Sequence, residues 1–425
     1  MKIKKLIDRK AHEVEFVNMA QLEKKLINDI SNLDILIFDR SIIKNRLVKK
    51  LLSRFSSRSL IIKGEEKIKS IENYSSLIEK IIKKGIQRKS IIYSFGGGTI
   101  GDLSGFLAST IMRGIEHVMI PTSLLAMVDS AIGGKTGINS KFGKNLIGTF
   151  NLPKKVFISS DFLKSLPKRE ISCGFAEIIK YSLIDSKQLH KLLISQSKID
   201  INKLIKLSIN SKFKYIGDYR EKLNSKNSRA ILNFGHTIGH AIENSNFYKG
   251  NLKHGEAISL GMIVELKISS LFNYYPEKVT NLIELLKKYK LPVNYSKYIN
   301  KKTIPTLIKR IAFDKKIINK DVNFVLIGKS GGFIKKISIK NHKDVKNIYN
   351  FMNADYFLFD YKPEINELPG GNAKSFDWNI IKNIQICIIQ RFNRFHSRTI
   401  YFRNIFDFYC IYFRLNHSKP NFKKH

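Results

Sequence analysis

From Asp34 onward the chain alternates short apolar runs with stretches of helical spacing. The segment DILIFDR, starting at residue 34, reads as a buried strand with a turn after it, and SLIIKGEE, starting at 59, repeats that pattern after a helical stretch. A further helix is expected around Ser75 to Lys84. It leads into SIIYSF at 90–95, a third apolar run, and then into a cluster of glycines. This βαβ rhythm predicts an α/β protein that opens with a Rossmann-like, largely parallel sheet.

Beyond about residue 160 the strand pattern fades. Helical spacing runs through FAEIIKYSLI, KLIKLSI, the stretch at 230–273 and TNLIELLKKY, so a mostly α-helical second domain is expected. DVNFVLIGKSGGFIKKISI at 321–339 reads as two strands around a glycine turn that closes the structure. No internal repeat is present. The expected organisation is an α/β domain over 1–160, a mostly helical domain over 161–350 and a C-terminal extension over 351–425.

Composition changes this picture little. A length of 425 residues suits two or three domains with their own cores. Lys and Arg total 75 against 35 acidic residues, a net charge of +40, which alone would suggest nucleic acid or an anionic substrate. The excess lysine is scattered among Ile and Asn, as in KKLINDISN and KLIKLSINSK, rather than gathered into one arm. It reads as the solvated surface of an ordinary enzyme, with no specific nucleic-acid partner. Three cysteines, Cys173, Cys387 and Cys410, form no CxxC pair, which argues against a disulfide framework or thiolate zinc site and fits a reducing cytoplasm. No apolar run is long enough to span a bilayer, so no membrane association is expected.

The candidate chemistry lies in three places. Gly96-Gly97-Gly98-Thr99-Ile100-Gly101-Asp102 follows a strand and precedes an apolar helical run, where bare N–H groups can cradle a pyrophosphate, although the spacing is not GxGxxG. Pro121-Thr122-Ser123, then Val128-Asp129-Ser130-Ala131-Ile132-Gly133-Gly134-Lys135-Thr136-Gly137-Ile138-Asn139 and Gly143-Lys144-Asn145, thread an acid, lysines, amides and hydroxyls through glycines. Such a segment suits a phosphorylated, polyhydroxylated ligand. Glu177 in GFAEIIK, His236 and His240 in NFGHTIGH, and His254 in LKHGE are metal-ligand candidates. His236 and His240, at i and i+4, share a helix face, and either could join a carboxylate and a distant histidine around zinc.

The blocks at 95–105, 113–114, 120–145, 174–181, 229–243 and 254–261 resemble, in order, the signature blocks of 3-dehydroquinate synthases. Runs such as VDSAIGGKTGIN and LNFGHTIGHAIE are long enough to be specific, and the resemblance spans roughly residues 30–345. It implies an NAD- and metal-dependent cyclase acting on a phosphorylated sugar acid, 3-deoxy-D-arabino-heptulosonate 7-phosphate. Zinc, with cobalt as the alternative, would be held by Glu177, His236 and His254, with His240 behind it or facing substrate. NAD would meet Asp39, Glu66 and Lys69, then Gly98, Thr99, Ile100, Gly101 and Asp102, then Thr122 and Ser123. Phe162, Leu163, Lys164 and Ser165 complete that list. Asp129, Lys135, Lys144, Asn145, Lys180, Lys212, Arg229 and Asn233 match substrate positions, with Lys135 and Lys144 also beside the cofactor. Lys315, or its neighbour Lys316, matches a late phosphate-binding lysine. Arg113 matches an arginine that reaches a neighbouring subunit, which implies a homodimer.

Three departures accompany the resemblance. Lys212 lies farther before Arg229 than the family spacing, because the intervening DYREKLNSKNS loop is longer. The early adenosine motif is reduced to Asp39 within Phe38-Asp39-Arg40-Ser41. The glycine expected just before Glu66 is displaced to Gly64, while the Glu66-x-x-Lys69 spacing survives. The alternatives are a related sugar-phosphate cyclase, a metal-dependent alcohol dehydrogenase, or a basic nucleic-acid-binding protein. After about residue 350 the likeness ends. Ile365 to Gly371, with Lys374-Ser375, resembles the opening of 5-enolpyruvylshikimate-3-phosphate synthase, as in a gene-fusion remnant or read-through product. The tail is expected to be catalytically irrelevant, the alternative being a basic aromatic segment that binds RNA or a membrane surface.

Overall fold

The computed structural model describes residues 1–335 apart from 8–9, 197–198, 218–228, 244–251, 274–275, 301–302, 304–305, 308–316, 319–320, 323 and 329–330. Lys315, Lys316, the DYREKLNSKNS loop at 218–228 and the extension at 351–425 therefore lie outside the described residues. Packing groups residues 1–232 into one compact unit and 233–425 into another.

The first unit is organised by a seven-stranded sheet of order β1-β2-β9-β6-β5-β3-β4. The strands are β1 (Lys2–Ile7), β2 (Lys10–Phe16), β3 (Ile35–Asp39), β4 (Ser59–Ile62), β5 (Ile91–Gly96), β6 (Glu116–Pro121) and β9 (Lys155–Ile158). Strands β1 and β2 form an antiparallel hairpin at one edge, and the other neighbours pair in parallel. The expected strands at 34–39, 59–62 and 90–95 are β3, β4 and β5. Inside the sheet, β3 and β5 are apolar because both faces are covered, whereas β4 at the edge leaves Ile61 exposed. Helices α1 (Met19–Asp29), α2 (Arg46–Arg54) and α3 (Ile71–Lys83) are capped by Asn18, Asn45 and Ser70, each accepting from backbone N–H groups one turn in. Asn18 and Gln21 complete a reciprocal capping box.

Helix α4 (Gly98–Thr110) is buried along most of its length, as a helix apolar on nearly all sides must be. It lies against β5 and β6 on one side and against β7 (Lys135–Ser140) on the other. Gly105 makes this possible: a Cβ there would stand 2.4 Å from Thr136 Cγ2. Strand β7 pairs with β8 (Gly143–Phe150) in a separate antiparallel hairpin. Helices α5 (Lys168–Ile184), α6 (Lys187–Ile194) and α7 (Ile201–Tyr215) complete the unit, and α5 and α7 pack on the turn after β6 that carries Asp129.

The second unit contains α8 (His236–Glu243), α9 (His254–Asn273) and α10 (Pro276–Lys288). Two small antiparallel ribbons follow, β10 (Ile317–Ile318) with β11 (Asp321–Val322), and β12 (Phe324–Gly328) with β13 (Gly331–Lys335). The parallel α/β sheet followed by helices is the expected fold class.

Two histidines are buried in the first unit in neutral form. His117 on β6 pairs with Ser94 on β5, Nε2 to Oγ at 2.8 Å, and burial pushes its pKa down to about 3. His12 on β2 is lowered to about 4, by burial first and by the nearby Lys212 charge second. Both are protonated more readily in the unfolded chain, so stability holds above the unfolded value near 6.5 and falls as pH drops through the window toward 3 to 4. Each should cost on the order of 2 kcal/mol by about pH 4.5. Urea midpoints measured from neutral pH downward should fall accordingly, and His117→Asn should flatten the slope.

Candidate active site

The sheet reverses its direction of growth between β3 and β5: β4 lies beyond β3 on one side, and β6 and β9 lie beyond β5 on the other. The carboxyl ends of strands at such a point are where open α/β sheets receive ligands. Asp39 closes β3, the segment Gly64 to Lys69 follows β4, and Gly97 caps α4 after β5. A Cβ on Gly64 would fall 2.1 Å from Asp39 Oδ2, so the displaced glycine is the one that lets these loops meet. Thr122 N–H donates to Gly96 O at 2.9 Å, and a Cβ on Gly97 or Gly98 would meet Ser123 Oγ at 3.4 Å or Ser130 Oγ at 2.8 Å. Ser130 Oγ is shielded from solvent and has no hydrogen-bond partner among the described residues. A helix N-terminus lined by backbone N–H groups and hydroxyls suits a pyrophosphate.

Lys69 is almost fully buried beside this cradle. Its ammonium donates to Asp102 Oδ2 at 2.8 Å and to Asn145 Oδ1, and Glu66 Oε1 lies 3.5 Å away. Burial pulls the Lys69 pKa down, but Asp102 and Glu66 outweigh it and leave the group raised. Phe162 is buried in the 3-10 turn Ser160–Ser165, while Lys164 is exposed and paired with Asp161 at 2.6 Å.

A second cluster surrounds Asp129, which sits on the π-type turn Ala126–Ser130. Such turns occur often at functional sites, because the extra residue re-aims a side chain. Asp129 Oδ1 accepts from Lys212 Nζ at 2.6 Å and from Tyr181 Oη at 2.6 Å, and Lys212 also reaches Asp129 O at 2.7 Å. Burial works to raise the Asp129 carboxyl, yet the Lys212 and Lys180 charges hold it well below the usual carboxylate range. Burial lowers Lys212 to about 8 against the pull of Asp129. The longer loop before Arg229 thus still leaves Lys212 on Asp129.

Lys180 and Glu177, one helical turn apart on α5, form a buried ion pair. Arg229 is buried, donates through Nη2 to Gly133 O at 3.3 Å, and lies 5.5 Å from the centre of the Phe150 ring. Gly133 and Gly134 have φ of 98° and 68°, which favours glycine at this turn before Lys135. Lys135, Lys144 and Asn145 are exposed on the β7–β8 hairpin. Arg113 is exposed after α4 with φ 67°, following Met112 at φ 53°.

In the second unit His236, His240 and His254 place one ring nitrogen each within 4.8 Å of one another. The approach is built by glycine: a Cβ on Gly261 of α9 would lie 2.0 Å from Gly235 O, and one on Gly239 would lie 2.8 Å from Ile258 Cδ1. Helices α8 and α9 can therefore cross closely at their histidine ends. Glu265, buried on α9, accepts from Gly235 N–H at 2.7 Å and Ile238 N–H at 3.2 Å, satisfying the start of α8. His236 Nδ1 faces Phe234 O at 3.1 Å, and His254 Nδ1 faces Glu243 Oε2 at 3.1 Å. Both partners only accept, so Nδ1 carries the proton and the lone pair sits on Nε2 in each ring. This is how metal-ligating histidines are oriented. Asn233 ends the 3-10 turn before the cluster.

Most of the residues that build these clusters fall within two family matches. Residues 59–173 match the 3-dehydroquinate synthase N-terminal family and residues 174–317 the 3-dehydroquinate synthase C-terminal family. The chain belongs to the 3-dehydroquinate synthase family. It is 42% identical over 331 residues to the 3-dehydroquinate synthase of Prochlorococcus marinus strain MIT 9312, covering 74% of this chain and 88% of that protein. Against the 3-dehydroquinate synthase of Pyrococcus furiosus it is 39% identical over 275 residues, 63% of this chain and 79% of the relative. Like these 3-dehydroquinate synthases, it is an enzyme.

Solved structures confirm the fold. 2-Deoxy-scyllo-inosose synthase, complexed with carbaglucose-6-phosphate, NAD+ and Co2+, superposes with a TM-score of 0.65 at 24% identity, over 79% of this chain and 96% of that one. The 2-epi-5-epi-valiolone synthase ValA from Streptomyces hygroscopicus subsp. jinggangensis, with NAD+ and Zn2+ bound, gives 0.63 at 18% identity, over 80% and 96%.

Tyr181, Glu243, Glu265 and Ser130 were not singled out from sequence. Glu243 had a readable signal: with His236 and His240 it occupies i, i+4 and i+7 of one helix face. Tyr181 had none, because its neighbour across the fold, Asp129, is far away in sequence.

Proposed function

We infer that the chain converts 3-deoxy-D-arabino-heptulosonate 7-phosphate to 3-dehydroquinate and phosphate, using NAD catalytically and a divalent metal. The observation that carries this reading is the trio of histidines, two of them (His236 and His254) with anchored Nδ1 atoms, in a chain of the 3-dehydroquinate synthase family. The donor set fits zinc or cobalt, since imidazole suits both. The hydroxyl-lined N-terminus of α4 fits the NAD pyrophosphate, with Asp39, Glu66, Lys69, Gly98, Thr99, Ile100, Gly101, Asp102, Thr122, Ser123 and the Phe162 to Ser165 turn around the cofactor. When bound, the metal and NAD would together acidify a secondary hydroxyl and accept its hydride.

The chain's own side chains then bind and orient an anionic substrate. Lys212, Lys180 and Arg229 are buried cations, and preorganised buried cations stabilise a developing enolate and a departing phosphate without rearranging. Asp129 keeps Lys212 in place and charged. Lys135, Lys144, Asn145, Asn233 and His240 are assigned to substrate contacts, and Lys315 to its phosphate. Glu177, His236 and His254 are the proposed metal ligands. A second ligand set has support from geometry, because the His240 ring centre lies 5.2 Å from that of His236 and 5.7 Å from that of His254, close to the 5.5 Å between His236 and His254.

In this reading residues 1–160 carry the cofactor side and 161–350 the metal and much of the substrate side. In the same reading the protein works as a homodimer, with Arg113, exposed beside Met112, as the residue that reaches the neighbouring subunit. Among the described residues no helix is long and apolar enough to cross a membrane. Purified protein offered the heptulosonate 7-phosphate and glucose 6-phosphate in parallel should release phosphate from the first alone. Turnover of glucose 6-phosphate instead would assign the chain to a different sugar-phosphate cyclase activity.

A further inference from the structure

Between the proposed cofactor and substrate residues of the first unit stands Asn139, the fifth residue of β7, which has no part in the reaction described above. Its backbone N–H donates to Lys69 O at 2.6 Å. Its side-chain Nδ2 donates to Glu66 Oε1 at 2.9 Å and to Glu66 O at 3.4 Å. In the other direction its Oδ1 accepts from the N–H of Asn145 at 2.9 Å. Asn145 has φ 54°, in the left-handed region that asparagine tolerates better than most non-glycine residues. The circuit closes through Lys69, whose ammonium donates to Asn145 Oδ1 and to Asp102.

Both ends of the Asn139 amide are thereby used, and each needs the opposite polarity. A carboxylate acceptor takes the NH2 end, and a backbone donor takes the oxygen. No other residue of this size supplies that pair.

We propose that Asn139 is a positioning residue that ties the Lys144–Asn145 turn to the Glu66–Lys69 segment, so that NAD and substrate strengthen each other's binding through it. The proposal rests on the reading that Glu66 and Lys69 face NAD while Lys144 and Asn145 face substrate. NAD engaging Glu66 and Lys69 holds the acceptor against which Asn139 is set. Asn139 in turn holds the Asn145 N–H, and with it the backbone that aims Lys144. Coupling of this kind is reciprocal: the factor by which NAD tightens substrate equals the factor by which substrate tightens NAD.

The test measures NAD affinity of the metal-loaded full chain by calorimetry, with and without the non-eliminating phosphonate isostere of the heptulosonate phosphate. In the wild type the isostere should tighten NAD by about fivefold or more. In Asn139→Ala that factor should fall close to one, while metal content stays near wild type and the thermal midpoint falls by no more than the lost side-chain hydrogen bonds account for. Asn139→Asp sets a carboxylate against Glu66 and should in addition raise KM for the heptulosonate phosphate by about tenfold. Asn139→Ser gives the same readout should the alanine variant fold poorly. An active wild type with an unchanged coupling factor in Asn139→Ala or Asn139→Ser would overturn this assignment alone. A wild type that binds no NAD would overturn the functional reading, and the assignment with it.

Discussion

Replacing Lys212 by methionine is expected to reduce kcat/KM by roughly 10²- to 10³-fold and to destabilise the fold by about 3 kcal/mol. The size of both effects follows from burial. The Lys212 side chain is 8% exposed and holds Asp129 through two contacts, to Oδ1 at 2.6 Å and to the backbone carbonyl at 2.7 Å. Removing the cation leaves a carboxylate set for an ion pair with, among the described residues, only Tyr181 donating to its Oδ1, beside the Lys180 charge. Because the Asp129 side chain is itself 24% exposed, water recovers part of the loss, which keeps the estimate toward the lower end for broken buried pairs. The double variant Asp129→Asn with Lys212→Met should recover most of the stability and none of the activity. Denaturant midpoints and steady-state kinetics on the four proteins of that cycle give the answer. A single Lys212→Met protein with normal kinetics would remove Lys212 from the site.

The other large effect is expected at the histidine cluster. His254→Ala, purified with NAD present, should lose most of its bound zinc, and kcat/KM should fall by about a thousandfold or more. Glu243→Gln should weaken metal binding by roughly 10- to 100-fold, because Glu243 Oε2 fixes the His254 ring from its Nδ1 side at 3.1 Å. His240→Ala separates the two ligand sets. If Glu177, His236 and His254 hold the metal, His240→Ala keeps its zinc and loses activity. If the three imidazoles hold it, zinc is lost as well. Near-normal zinc content in His254→Ala would contradict both sets.

The inner strands β3 and β5 were legible because strands covered on both faces read as continuous apolar runs, and the edge strand β4 was legible from its short apolar run although Ile61 is 42% exposed. The hairpins were not. In β1, KIKKLI, Leu6 is 66% exposed, so the apolar pattern does not follow the inward face. In β7 and β8 the glycines look like loop, but they are required by close cross-strand approach. A Cβ on Gly148 would lie 2.2 Å from Thr136 O, and one on Gly137 would lie 2.6 Å from Ile147 O. Tertiary contact overrides the weak strand propensity of glycine there.

At the site, motif spacing was enough to select the glycine cradle, the Asp129 segment and the histidines, since each is local in sequence. The pairings that set their chemistry were hidden, even where, as with Lys212, the residue itself could be read from the sequence. Tyr181 and Lys212 reach Asp129 across 52 and 83 positions, and Glu265 reaches Gly235 across 30. No periodicity encodes such pairs. The first glycine opening, Gly96 to Asp102, gains the most from the structure: the helix it starts is a buried central element with a shielded hydroxyl aimed at its N-terminus.

The central claim is that NAD is used and regenerated within one turnover while phosphate departs. Incubating the metal-loaded chain with 3-deoxy-D-arabino-heptulosonate 7-phosphate, with NAD and zinc each withheld in turn, tests it directly. Phosphate and 3-dehydroquinate should appear in equal amounts with no net NADH, and both products should be lost when either component is withheld. Net NADH accumulating with substrate consumption, or phosphate released without NAD, would contradict it.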